Sequence, residues 1–484
     1  MSPSSIILVS LLSLLYAGIV LFILLDDGDS GWKVTWLLVI SIFPIVGFLL
    51  YLLFGVHYRH VGIRDRLHGK VVRRFREEIP PEEAEQLFPD NAEEQVEARF
   101  RPLVRLLLGI NPGNKLSAGN ALEIITTGQR KWELLRQDIL HAKKFIHLEY
   151  FRFGNDEAGR EIRDLLMARA REGVAVRYIH EGFANRAIPR SYYREMRQAG
   201  VDVKPFSSPR NGLLNFWLRM DSRNHRKIVV IDGEVAYTGG MNINNNYRYK
   251  WRDTHLRLVG PAIQALQASF IDTWLTSGGT LPEPLGALFN PSVQGGEGPI
   301  RNSLVQIVTD EPDFPYPAVQ YSYEWILQNA REYVYLENPY FGPPESVIDA
   351  LKGAALRGVD VRIILPSRVD TPLIGQLNRS FYTLCLEAGI RIFQWQGEFI
   401  HCKTVVCDDY LTLTGASNMD IRSFQINHEV NTYIYGREAA LASKAVFLKD
   451  LEQSQEVLLP EWKASRKWYD VLLGRVLRLF DTIL

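Results

Sequence analysis

A spaced pattern, His-x-Lys-x4-Asp-x6-Gly-x2-Asn, occurs twice in the chain, at residues 225–242 (HRKIVVIDGEVAYTGGMN) and again at 401–418 (HCKTVVCDDYLTLTGASN). The two copies agree beyond the pattern. At the same spacing after each histidine stands an acid, Asp253 in the first copy and Glu429 in the second. Upstream, Glu149 in IHLEYFRFG answers Glu337 in YLENPYFG, and RAREGVAVRYI answers AALRGVDVRII. Whatever unit the first half builds, the second half builds again, and its chemistry-bearing residues come in matched pairs.

Within each half, apolar runs of strand length alternate with helical periodicity. ALEIITT, FIHLEYF, VAVRYIH and RKIVVID read as strands, and DEAGREIRDLLMARAREG reads as an amphipathic helix ending at Gly173. SLVQIVT, EYVYLENPYF, ESVIDALKGAALRG, VDVRIILP and HCKTVVCD repeat the series. This alternation predicts an α/β fold of two duplicated βαβ units, 112–290 and 291–484, each a mostly parallel or mixed sheet covered by helices.

The first sixty residues follow another rule. Residues 5–25 and 34–54 are almost wholly apolar, each about the ~20 residues that cross hydrocarbon as a helix, so residues 1–58 are expected to form two transmembrane helices. MSPSS lacks the basic residues of a signal peptide, and a second apolar run follows the first. The link between the runs is acidic (DDGDSGWK), whereas Arg59, Arg64, Arg66, Lys70, Arg73 and Arg74 crowd the far side of the second. The positive-inside bias then places the remaining chain on the cytoplasmic side. Residues 59–111 read as a charged juxtamembrane connector of surface helices broken at Pro80 and Pro81. At the other end, WYDVLLGRVLRLFDTIL is amphipathic, suited either to a membrane surface or to the protein's own core.

Composition narrows the function classes. Lysine plus arginine number 55, equal to aspartate plus glutamate, so the chain lacks the basic excess that nucleic-acid binding favours. Cys385, Cys402 and Cys407 form no paired framework, which fits a reducing compartment and argues against a zinc site. Cys402 stands between His401 and Lys403, but neighbours on a strand point to opposite faces and do not share a ligand.

On a strand, His225 and Lys227 project to one face, as do His401 and Lys403. An anionic phosphodiester repels nucleophiles. Lys227, Lys403, Asn242 and Asn418 would supply positive charge and donors to its oxygens, and no metal or other cofactor is then required. One neutral imidazole can attack phosphorus while an opposed protonated imidazole gives its proton to the leaving alkoxide. Asp253 and Glu429 fit as acids that each orient a histidine ring. Asp232 and Asp408 complete the candidate catalytic set of His225, Lys227, His401 and Lys403, with a structural task at the Asp-Gly type turn as the expected role. GLLNFWLRM, ahead of the first motif, reads as core or as lining for a lipid entry.

These paired motifs resemble the phospholipase D superfamily. More narrowly, NHRKIVVIDGEVAYTGGMNI, the ENPYFGP element, HCKTVVCDDYLTLTGASNMDIRSFQINHEV and the two apolar N-terminal runs are similar to bacterial cardiolipin synthases over nearly the whole chain. Cys402 departs from the family, where a small alanine is common. The resemblance implies two phospholipase D-like domains with a shared central site in an enzyme embedded in the bacterial inner membrane. It implies phosphatidyl transfer between two phosphatidylglycerol molecules, giving cardiolipin and glycerol. It also implies His225 as nucleophile and His401 as acid, then base, although the symmetry of the sequence does not rank the two. A phospholipase that uses water, a transferase using another alcohol, and a membrane scaffold with a relic site are the competing readings. Oligomeric state is not legible.

Overall fold

The computed structural model describes residues 3–25, 30–51, 92–206, 222–280, 285–290, 296, 298–312 and 314–478. The basic cluster 59–74, Pro80 and Pro81, and the GLLNFWLRM segment lie outside the described residues.

The first half contributes β1 (Leu116–Ile125), β2 (Phe145–Tyr150), β3 (Ala175–Glu181), β4 (Asp202–Phe206), β5 (Lys227–Ile231), β6 (Val235–Gly239) and β7 (His255–Val259). The second contributes β8 (Ile300–Asp310), β9 (Tyr333–Glu337), β10 (Phe341–Gly342), β11 (Asp360–Pro366), β12 (Arg391–Trp395), β13 (Thr404–Cys407), β14 (Leu411–Gly415), β15 (Met419–Asp420), β16 (Glu429–Tyr435) and β17 (Ser454–Glu456). All but the short β10–β15 pair join one sheet of 15 strands. Outward from the central antiparallel pair β1–β8, the order is β7-β6-β5-β2-β3-β4 on one side and β16-β14-β13-β9-β11-β12 on the other, with β17 added at that edge. The sequence duplication is therefore a duplication of strand order. The halves share one mixed sheet: β2-β3-β4 and β9-β11-β12 are parallel, and the inner strands are antiparallel.

Burial explains the unbroken apolar strands. In β5, Val229 and Ile231 enter a core under the helices Gly128–His141 and Glu157–Arg171. Ile228 and Val230 enter the core of the opposite face, under the helix Ile263–Thr276. A strand covered on both faces keeps no polar alternation. The helix stops are duplicated as well. Gly173 (φ 95°) lets Val174 N–H reach Arg169 O at 3.1 Å, and Gly358 (φ 89°) lets Val359 N–H reach Ala354 O at 3.2 Å. Both are left-handed C-terminal caps that a residue with a Cβ disfavours.

At the N-terminus, helices Pro3–Leu25, Ser30–Ile42 and Pro44–Leu50 fall on the two apolar runs. The second run, expected as one helix, is interrupted at Phe43 (φ −129°, ψ 76°), because Pro44 has no N–H and constrains the residue before it. Among the described residues no helix is long and apolar enough to cross a membrane. Ile19, Ile23, Trp36, Ile40 and Tyr51 pack together between the helices.

The last part of the expected connector belongs to the body. Phe100, Leu103, Val104 and Leu107 of the segment containing helix Arg101–Ile110 are buried in the core of the second half. Arg99 adds a bond to Asp408, Nη1 to Oδ2 at 2.8 Å.

Candidate active site

The histidines stand just ahead of β5 and β13, and each pattern aspartate closes the hairpin at the far end of the same strand. Asp232 and Asp408 adopt left-handed backbone (φ 54° and 49°), which an Asp tolerates at a tight hairpin turn. The Asp232 carboxylate accepts N–H bonds from Lys143, Lys144 and Phe145 at 2.6–2.8 Å. Asp408 accepts from Arg331, Glu332 and Tyr333 at 2.9–3.0 Å. Each aspartate thus pins a hairpin tip to the start of the neighbouring strand, β2 or β9. Their carboxylates are engaged by backbone five residues along the chain from the lysines, on the order of 15 Å.

At the other end of the strands the two halves meet. Asn224 bridges His428, Arg252 bridges Ile400, and backbone bonds run from His225 N to His428 O (2.9 Å) and from His401 N to Arg252 O (2.7 Å). The consequence is a crossing of partners. His225 Nδ1 lies 3.0 Å from Oε1 of Glu429, and His401 Nδ1 lies 2.9 Å from Oδ2 of Asp253. The acid of each half holds the histidine of the other, which turns Nε2 of His225 to the site, while Nε2 of His401 also lies 3.2 Å from Lys403 Nζ and 3.4 Å from Tyr247 Oη. Lys227 and Lys403 donate to the backbone oxygens of His225 and His401, both at 2.6 Å, and Lys403 Nζ also lies 2.8 Å from His401 Nδ1. All six side chains are buried. Gly240 accommodates this approach, since a Cβ there would collide with the Asp253 carboxylate.

Burial sets the electrostatics. It lowers His225 to about 4 against the pull of Glu429, helped by the positive charge of Lys227 and Lys403. His401 is driven well below its ordinary value by burial, then by Lys403 and Lys227. Burial also lowers Lys227 to about 7 and Lys403 to about 8, as expected for two ammonium groups in one enclosure. The acids differ. Burial raises Asp253 to about 6, whereas at Glu429 the upward push of burial is outweighed by His225 and Lys227, and the carboxyl is held below its usual range.

The asparagines also differ. Asn242 Oδ1 accepts from Arg152 N–H (3.0 Å) and its amide donates to Tyr247 Oη (2.9 Å), while Asn418 Oδ1 is buried without a hydrogen-bond partner among the described residues. Several neighbours were missed by the sequence reading. Tyr247, Trp251, Tyr340 and Phe399 place their rings 5.3, 5.8, 6.2 and 5.8 Å from the imidazole of His401, with Tyr247 Oη 3.3 Å from Nδ1. His225 has Phe151 edge-on at 4.9 Å. Tyr247 could have been noticed as a departure from the repeat, since the matched position after Asn418 is Ser423.

Beneath the site, on the opposite faces of β5 and β13, lie buried charge networks. Arg226 donates to Glu311 Oε1 (2.7 Å), and Glu149 accepts from Asn224 (2.7 Å). Under β13, Arg252 of the first half pairs with Asp450 (2.6 Å), and Glu337 accepts from Thr404 (2.6 Å). Glu149 and Glu337, matched across the repeat, therefore support the motif strands from below. Cys402 points to this side, its Sγ 3.7 Å from Thr254 Oγ1, away from the ring of His401.

Comparison with known proteins agrees with this geometry. The family described as "Cardiolipin synthase, PLD-like domain" matches residues 135–274 and 324–451, and "Phospholipase_D-nuclease N-terminal" matches 12–55. Cardiolipin synthase of Halalkalibacterium halodurans is 32% identical over 98% of this chain and 92% of its own. Cardiolipin synthases of Staphylococcus aureus (35%, 95% and 92%) and Listeria monocytogenes (34%, 99% and 98%) are similar to the same extent. Among solved structures, phosphatidylserine synthase of Haemophilus influenzae shares the fold, with a TM-score of 0.58 at 16% identity over 79% of this chain and 98% of its own.

Proposed function

The chain belongs to the cardiolipin synthase family of phospholipase D-like phosphatidyltransferases, and from that membership we propose that it joins two phosphatidylglycerol molecules into cardiolipin with release of glycerol. The observation that carries the mechanism is the crossed pairing of His225 with Glu429 and His401 with Asp253. Nε2 of neutral His225 attacks phosphorus, forming a P–N bond as the P–O bond to glycerol breaks. Protonated His401 gives its proton to the departing glycerol oxygen. The free hydroxyl of a second phosphatidylglycerol then enters, loses its proton to His401, and attacks phosphorus. A P–O bond forms, the P–N bond breaks, and His225 is restored. Lys227, Lys403, Asn242 and Asn418 hold the phosphate oxygens, and an incoming anion favours the charged form of both lysines.

One asymmetry supports His225 as nucleophile. Glu429 is held ionised, which suits a carboxylate that steadies a neutral imidazole and then the cation formed on attack. Burial and both lysines oppose a cation at His401, so the charge of the bound phosphodiester is what favours the imidazolium that a general acid needs. For Asp232 and Asp408 the role is structural, the clamping of the hairpins described above. The domains are residues 112–290 and 291–484. The apolar runs 5–25 and 34–54 form a hairpin in a bacterial membrane, with the catalytic body on the cytoplasmic side, a reading supported by the N-terminal family match and the basic residues that follow.

The test is reconstitution with defined lipids and a phosphatidyl ester whose leaving group needs no proton. In His401→Asn the phosphatidyl adduct is expected to accumulate on His225, because the base for the second step is missing. An adduct at His401 in His225→Asn would reverse the roles, and phosphatidic acid as the main product of the unaltered protein would make it a hydrolase.

A further inference from the structure

The helix Trp468–Arg478 is docked on the second half by a narrow face. Leu477 is buried, and Gly474 lies so close to Ser380 that a Cβ there would stand 2.8 Å from the serine Cβ. Arg478 donates to Ser380 Oγ at 2.9 Å and lies over the ring of Phe381. The opposite face reverses what a solvated helix carries. At 3.6 residues per turn, Trp468, Leu472 and Val476 form one row and Tyr469 and Leu473 the next. These side chains are 76%, 54%, 41%, 48% and 40% exposed. Asp470 is half-buried towards the inner side, while Arg475 is exposed at the edge of the stripe and Lys467 is exposed just ahead of it.

We infer that this outer face lies in the headgroup region of a bilayer containing anionic phospholipid. Aromatic rings at one end, aliphatic side chains along the stripe and basic groups at its border are the chemistry of a helix lying in a membrane interface. The accessible basic groups complement anionic headgroups. A second copy of the chain is the poorer occupant, since three turns of one helix offer on the order of 400 Å², about half of what each partner of a stable complex buries. Position agrees with the inference. The helix rests on Pro372–Ser380, which follows Asp370. The Asp370 carboxylate accepts from Tyr340 Oη at 2.8 Å, and the Tyr340 ring stands edge-on to His401. A bilayer contact here would seat the His401 wall of the cleft near the lipid surface. The inference rests on the reading of membrane phospholipid as substrate, but its evidence is the surface of the helix itself.

The experiment uses the full chain in phosphatidylglycerol vesicles, carrying Leu472→Cys labelled with an environment-sensitive fluorophore. Cys385, Cys402 and Cys407 are buried and do not compete for the label. The expected result is blue-shifted emission, quenched by nitroxide lipids labelled near the acyl carbonyls. Water-like emission without lipid quenching would overturn the inference, as would a shift that follows protein density rather than lipid. In parallel, Leu472→Gln with Val476→Gln is expected to keep its rate on phosphatidylglycerol in detergent micelles and lose about tenfold on vesicles. Equal loss or none in both settings would also overturn it. Absence of cardiolipin from the unaltered protein would sink the enzymatic reading while leaving the fluorescence result to stand on its own.

Discussion

The carboxylate at position 429 governs an imidazole from the other half of the chain. Glu429→Gln keeps the shape but replaces a pure acceptor with an amide that can hold either ring tautomer. A loss in kcat of about 100- to 10,000-fold is expected, by analogy with removing the orienting acid of a triad, and conversion of labelled phosphatidylglycerol measures it. Charge on the lysines sets the pH range. Lys227, lowered to about 7, loses its proton as pH rises through that value and so adds a fall in kcat/KM above about pH 7 to the one from deprotonation of His401, which burial places below its ordinary value. Lys227→Arg stays charged and should move that limb upward to the next group, Lys403 at about 8; an unmoved limb would assign it elsewhere. The histidines, lysines and orienting acids were legible in the sequence, because their spacing repeats and strand geometry says which neighbours share a face. The crossing was not. It joins residues 204 and 148 positions apart, distances over which spacing carries no information on pairing. Nor was the ring cluster around His401, since Tyr247 and Trp251 reach it from one segment and Tyr340 from another.

Among the elements, the motif hairpins show how a fixed loop serves a distant site. Asp408 satisfies three backbone N–H groups and Arg99 at once, so it ties β13 and β14 to the start of β9 and to the segment before helix Arg101–Ile110. Asp408→Ala leaves those donors without their partner and is expected to cost on the order of 3 kcal/mol in denaturant unfolding. Activity per folded molecule should fall only a few-fold, in contrast to His225→Ala. A near-complete loss from a fully folded Asp408→Ala protein would instead give the carboxylate a chemical role. At the matched Asp232 an Asp-Gly pair marked the turn in advance, whereas Asp408 is followed by Asp409 and carried that cue only through the repeat. The break at Phe43 was also signalled, by Pro44, but the apolar composition of the run outweighed that local cue. The burial of helix Arg101–Ile110 had weaker warning, because its arginines resemble those of the charged segment before it, while Leu103, Val104 and Leu107 meet the core.

Across the whole molecule, the sheet runs unbroken from β4 to β17 through the β1–β8 pair, so the two copies are halves of one body. Alternating strand and helix patterns announced the units. They did not announce the junction, because β1 and β8 pair across nearly the whole length of the first copy. One outcome follows for mixtures of inactive chains. If both imidazoles of a working site come from one chain, combining His225→Ala with His401→Ala protein in the same vesicles should restore no cardiolipin formation above that of either alone. Recovery of more than a few per cent would place a site between chains. The crossed carboxylates carry a further implication. A single copy of the repeat has no acid positioned for its own imidazole, so each imidazole–carboxylate couple exists only where two copies face one another.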